Sequence, residues 1–168
     1  MLVFVGFFAE KLTKMTVDSD YKQALQSSPN LPLANTMNNR LEQLQNLQKN
    51  AHCPYSKFQV AAILVCENGE EYKGVNVENA SYGGTICAER SAFVSAISQG
   101  QANNKFTEIH LIAGEAKDFV MPCGLCRQFM SEFVSSDFKV YVYHSDGGMK
   151  TVSMEDLLPY SFSSSDLA

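Results

Sequence analysis

Downstream of Thr36 the apolar positions follow two different rhythms. Met37, Leu41, Leu44, Leu47 and Ala51 recur at spacings of three and four, the signature of one face of an amphipathic helix. Asn35 or Thr36 is its expected cap, because the two prolines of "SSPNLPLAN" should interrupt anything helical before it, and "CPYS" ends it. The rhythm then changes. "FQVAAILVC" reads as a buried strand, "ENGE" as a hairpin turn and "EYKGVNV" as the returning strand. After the Gly-rich loop "ENASYGGT", a helix is predicted from near Cys87 to about Gln99, stopped by Gly100. "FTEIHLIAG" is a further strand, with Ile109, Leu111 and Ala113 on one side, and "AKDFVMP" a loop. Cys123 to about Val134 is predicted helical, "KVYVYH" a strand with alternating faces, and "DGG" a turn into "MKTVS". "SMEDLLPYSF" reads as a short capped helix ended by Pro159. Strands separated by helices of this length imply a mixed sheet covered on both faces, a three-layer α/β/α domain.

Length and composition narrow the class. With 168 residues the chain holds one domain, expected over residues 36–168, preceded by an extension over residues 1–35. The extension begins "MLVFVGFF", which has no basic region before it and no small-residue cleavage site after it. It is expected to be disordered or packed on a partner, or to reflect a start placed ahead of Met15. A net charge of −5 argues against nucleic acid as a partner, and no run of about 18 apolar residues offers a membrane span. Five cysteines, an odd number without a secretory signal, point to a reducing, cytoplasmic setting.

In such a setting a C-x-x-C pair is a metal or redox site. Cys123 and Cys126 supply the pair, and Cys87 stands at the other predicted helix start. Cys53 and Cys66 read as small apolar residues. None of His52, His110 and His144 lies at a helix start or makes a paired spacing. Three protein ligands match a zinc site that keeps its fourth position for water, whereas a structural site normally has four. Three thiolates on one divalent cation carry a formal charge of −1, and two features oppose it. Both segments begin helices, whose unpaired N–H groups face the sulfurs. Arg90 and Arg127 are each placed to donate to a thiolate, with Arg90 expected to matter more.

The combination Cys87-Ala88-Glu89 with Pro122-Cys123-Gly124-Leu125-Cys126 fits the three-cysteine form of the zinc base-deaminase signature, in which the Glu is general acid and base and not a ligand. Together with "CPYSKFQVAA", "GVNVENASYGGTICAERSA", "PCGLCRQF" and "EDLLPYSF", it makes the chain resemble the small, tetrameric cytidine deaminases over about residues 36–162. The resemblance implies a cytidine-deaminase-like fold, one Zn2+ per subunit on Cys87, Cys123 and Cys126, and hydrolysis of cytidine and deoxycytidine to the uridines with Glu89 as the proton carrier. It further implies that Asn76 and Glu78 bind the ribose, that Phe58 packs against the nucleoside and that backbone near Ala88 reads the base. Ala80, Tyr82 and Phe162 match positions that complete a neighbouring subunit's pocket, so a homotetramer with shared sites is expected.

The chain departs from the family in its first 35 residues, which have no counterpart in the compact family core, and at two places within that core. Gln59-Val60-Ala61-Ala62 stands where Pro-Val-Gly-Ala is frequent, so an added methyl should alter ligand fit or helix–strand packing. Leu125 stands inside the C-x-x-C where a small residue is common, and should reshape the pocket wall or a subunit contact. A related deaminase of a nucleoside antibiotic such as blasticidin S would share the zinc motif. A silent zinc-stabilised scaffold would have no use for Glu89. A nucleotide substrate lacks a phosphate cradle, and polynucleotide editing lacks a basic, aromatic groove.

Overall fold

A computed structural model describes residues 32–101, 105–114 and 118–167, with side chains from residue 39 onward. The apolar start of the chain and Met15 lie outside the described residues. In chain order the elements are α1 (Pro32–Gln48), β1 (Val60–Cys66), β2 (Glu71–Val75), α2 (Ala88–Ser98), β3 (Phe106–Ala113), α3 (Gly124–Ser131), β4 (Lys139–Tyr143), β5 (Met149–Ser153) and α4 (Met154–Leu157). A 3-10 turn at Tyr82–Gly84 precedes α2, and another at Ser164–Leu167 closes the described chain.

The five strands form one sheet in the order β2-β1-β3-β4-β5. Only β3 and β4 run parallel, and α3 makes the crossover between them. The other neighbours are antiparallel, so the sheet is mixed, as expected. "MKTVS", read only as the far side of a turn, pairs with β4 as an edge strand.

Period-two alternation divides the apolar side chains between two layers. Ala62, Leu64, Ile109, Leu111, Val140 and Val142 face α2 and α3, where Phe93 and Met130 fill the core. Phe93 sits edge-on to Phe106 at 5.0 Å between ring centres. Ala61, Ile63, Ile112 and Tyr143 face the opposite way, onto Leu44 of α1. The methyl that distinguishes Ala61 therefore lies in the α1 layer, which decides between the two effects expected of it: helix–strand packing and not ligand fit.

Two details differ from expectation. Helix α1 begins at Pro32, so Asn35 and Thr36 are helical residues and not caps. A proline is tolerated in the first turn, because its missing N–H would have had no intrahelical partner there. Helix α3 ends at Ser131, three residues short of Val134. The short α4 carries the predicted cap as a reciprocal capping box between Ser153 and Asp156. Among the described residues no helix is long and apolar enough to cross a membrane.

One glycine sets how closely α2 approaches the sheet. A Cβ on Gly74 would lie 2.3 Å from the Ala88 carbonyl oxygen and 2.4 Å from the Ala92 nitrogen, both backbone atoms. Gly74→Ala must push the first turn of α2 outward, and is expected to cost about 2–3 kcal/mol in denaturant unfolding. A loss below about 0.5 kcal/mol would show that the turn moves freely.

On the α1 layer, Arg40 donates to Glu71 at 2.6 Å, and this bond holds the Glu71 carboxyl below its ordinary range. A depressed carboxyl adds stability above its ordinary pKa, about 4.3, and loses that contribution as pH falls through the folded value. Arg40→Met should therefore be about 1 kcal/mol less stable than the parent at pH 7. The gap should narrow as pH falls below the ordinary carboxyl range, and one unchanged after full acid titration of the carboxyls would contradict the pairing.

Candidate active site

Cys87 and Cys123 occupy equivalent positions, each the N-cap of a helix with extended backbone (φ −75°, ψ 157° and φ −67°, ψ 165°). Their carbonyls accept the first intrahelical bonds, from Ser91 N and Arg127 N, both at 3.0 Å. An N-cap side chain ordinarily caps the free amides of the first turn. Neither cysteine does so, which leaves both sulfurs available. Cys126, buried in the first turn of α3, completes the group.

The three Sγ atoms lie within 4.8 Å of one another. The Cys87–Cys123 distance is 3.9 Å and the Cys123–Cys126 distance is 3.6 Å. Tetrahedral zinc with Zn–S bonds of about 2.3 Å requires sulfurs about 3.8 Å apart. These thiols therefore fit zinc with little movement.

Their electrostatics point the same way. The Cys87 thiol is lowered to about 5, first by a hydrogen bond from Cys126, then by Arg90 and by Cys123. Cys126 is pushed the other way by sharing that proton with Cys87, by burial and by the charge of Glu89. One thiol thus ionises readily while its partner keeps its proton, and a divalent cation displaces the protons that remain. Arg90 Nη2 lies 3.7 Å from Cys87 Sγ and donates to the Thr85 carbonyl at 3.1 Å. Arg127 does not serve the thiols as expected. Its guanidinium donates to the Pro122 carbonyl at 2.7 Å and the Leu157 carbonyl at 2.9 Å, tying α3 to α4.

Glu89 follows Cys87 by two residues in the first turn of α2 and is only 5% exposed. Burial raises its carboxyl, and negative charge on Cys87 adds to the rise. A buried carboxyl beside three thiols can exchange protons with whatever the site binds. Ala88, fully buried, lies between Cys87 and Glu89.

A second group gathers around the segment before β1. Asn76 Nδ2 donates to the Phe58 carbonyl and its Oδ1 accepts from Val60 N, both at 2.8 Å. Glu78 Oε2 accepts from Tyr55 N at 2.9 Å and Ser56 N at 3.2 Å. Asn76 and Glu78 thus meet the same segment, as two residues on one side of a strand extension should. The Phe58 ring covers Gly114, where a Cβ would come within 2.5 Å of it.

Ala80, Tyr82 and Phe162 are not gathered in. All three are exposed, Tyr82 by 80% and Phe162 by 57%. Phe162 is held to α3 through its carbonyl, which accepts from Gln128 Nε2 at 2.8 Å. Leu125 is 70% exposed, on the outer side of the C-x-x-C turn. Cys53 and Cys66 are both buried. Sequence reasoning missed Ser56, whose N–H and hydroxyl both reach Glu78; the sequence offers "CPYS" only as a helix end and as part of a block shared with the family.

The pattern described by "Cytidine and deoxycytidylate deaminase zinc-binding region" matches residues 35–143, which contain all three cysteines and Glu89. The chain belongs to the cytidine and deoxycytidylate deaminase family. It is 45% identical over 128 residues to a protein of Dictyostelium discoideum named "Probable cytidine deaminase", a match covering 76% of this chain and 84% of that one. It is 41% identical over 120 residues to the cytidine deaminase of Halalkalibacterium halodurans, covering 71% and 89%. Among solved structures, the cytidine deaminase of Burkholderia pseudomallei superposes with a TM-score of 0.69 at 39% identity, covering 73% of this chain and 95% of that one. This likeness confirms the deaminase-like α/β fold, and the family's zinc-binding region includes the thiol cluster.

Arg90 lies beside the thiol cluster. Arg90→Ala is expected to weaken zinc retention against a chelator about tenfold. Unchanged retention would remove Arg90 from the site.

Proposed function

We propose that the protein hydrolyses cytidine and deoxycytidine to uridine and deoxyuridine with release of ammonia. The observation that carries the reading is the buried carboxyl of Glu89 beside three thiols spaced for one zinc ion. The names of the relatives at about 40% identity support the substrate.

Cys87, Cys123 and Cys126 would hold the zinc. Zinc with three protein ligands lowers the pKa of a bound water from 15.7 to about 7, which supplies a nucleophile at neutral pH. Glu89 accepts the proton from the attacking water as the C4–O bond forms, and delivers it to N3 of the pyrimidine. It then carries the second proton of that water to the amino group, which leaves as ammonia when the C4–N bond breaks. Water has then added across the C–N bond, and Glu89 ends in the state in which it began. Its burial suits this alternation, because a carboxyl in a polar, open site would remain ionised.

Phe58 is proposed to pack against the nucleoside, Asn76 and Glu78 to bind the ribose, and backbone near Ala88 to read the base. The exposed Ala80, Tyr82 and Phe162 support a homotetramer in which each copy completes a neighbour's pocket. Residues 36–168 form the proposed catalytic domain. The five unpaired thiols suit a reducing compartment such as the cytoplasm.

The test is loss of the cytosine ultraviolet chromophore on mixing with cytidine or deoxycytidine. Glu89→Gln should retain zinc and lose at least about 100-fold in kcat. Parent protein with full zinc and no loss of the chromophore would overturn the reading, and near-normal turnover by the variant would overturn the role of Glu89.

A further inference from the structure

We propose that Ser56 is a positioning residue for the nucleoside, its hydroxyl coupling the Glu78 carboxylate to the Phe58 backbone. This inference rests on the nucleoside reading above. The Ser56 hydroxyl donates to Glu78 Oε1 and accepts from Phe58 N at 3.0 Å. One side chain thus joins the proposed ribose carboxylate to the proposed packing aromatic.

Counting donors and acceptors shows what the relay does. A carboxylate offers about four lone-pair positions. Tyr55 N, Ser56 N and the Ser56 hydroxyl take three of those on Glu78. The carboxylate is therefore fixed in place with one position free for a sugar hydroxyl. These bonds, that from the Ser56 hydroxyl first, also hold its carboxyl below the ordinary range and keep it an acceptor. Phe58 is fixed at both ends of its backbone unit. Ser56 takes its N–H, and Asn76 donates to its carbonyl. Lys57 bridges the two serine contacts with φ of 60°, a left-handed conformation that a non-glycine residue adopts only when its neighbours hold it. Beneath the ring, Gly114 leaves room that any side chain would fill.

Ser56 differs from the other members of this group. Asn76 and Glu78 have polar capacity left for a ligand. The serine hydroxyl gives its one proton to Glu78 and accepts from Phe58 N, which leaves it one lone pair and no donor for a ligand, so its main contribution to binding passes through Glu78 and Phe58. It is exposed and outside the core, so its replacement should leave the core packing in place. The thiols and Glu89 are carried by the first turns of α2 and α3 and not by this segment, so the chemical step should depend on it little.

The test compares the parent with Ser56→Ala and Ser56→Thr, with zinc content and thermal midpoint measured for each. Ser56→Ala should raise KM for cytidine about tenfold, and the inhibition constant of uridine in parallel, with kcat within about twofold. Ser56→Thr keeps the hydroxyl and should return both constants to within about threefold of the parent. Unchanged KM in Ser56→Ala, a fall in kcat alone, loss of zinc or fold, or a threonine variant no better than alanine would each overturn the role. A parent that does not turn over cytidine would overturn the function reading itself, an outcome distinct from an active parent whose KM ignores Ser56.

Discussion

Three thiolates cannot share a space less than 5 Å across unless positive charge lies among them. Two unit charges 4 Å apart repel by about 4 kcal/mol at an effective dielectric constant of 20, and three sulfurs make three such pairs. The chain brings Cys87, Cys123 and Cys126 together all the same. The positive ends of α2 and α3 meet at the sulfurs, with Arg90 beside Cys87. These partial charges ease the repulsion, and a divalent cation would remove it. The arrangement suits a metal centre, and Glu89 and Arg90 stand beside it.

The sheet supplies that placement. Gly74 lets β2 approach the first turn of α2, which fixes Cys87, Ala88 and Glu89 against the core. The β3–α3 crossover brings Cys123 and Cys126 to the same region from another part of the chain. Gly114, at the end of β3, donates its N–H to the Gln59 carbonyl at 2.7 Å and lies under Phe58. The strand that leads toward Cys123 and Cys126 therefore also supports the aromatic proposed to face the nucleoside. The α1 layer, with its Arg40–Glu71 pair and the added methyl of Ala61, lies on the far side of the sheet.

The metal group was legible because its chemistry is local. A cysteine at a helix start and a C-x-x-C at another leave few arrangements open, and helix N-termini favour thiolates for reasons visible in residue order. Strand alternation likewise assigned Ile109 and Leu111 to one face. What failed to show in the sequence depended on backbone detail. Pro32 begins α1 because the first turn needs no N–H there, so a residue expected to block the helix admits it. Arg127 was expected at the thiols from its proximity in sequence, yet the carbonyls of Pro122, in the preceding loop, and Leu157, at the end of α4, take its donors. The Ser56 hydroxyl gained its partners only through folding, since Glu78 lies 22 residues away. No periodicity or motif carries that contact.

X-ray absorption at the zinc edge of the purified protein tests the central claim most directly, because it reads the ligands and not the activity. One zinc per chain with three sulfur ligands at about 2.3 Å and a single lighter ligand is the expected result. Four sulfur ligands, or a histidine nitrogen in the set, would contradict it, because the site would then be closed or built from residues other than these three cysteines.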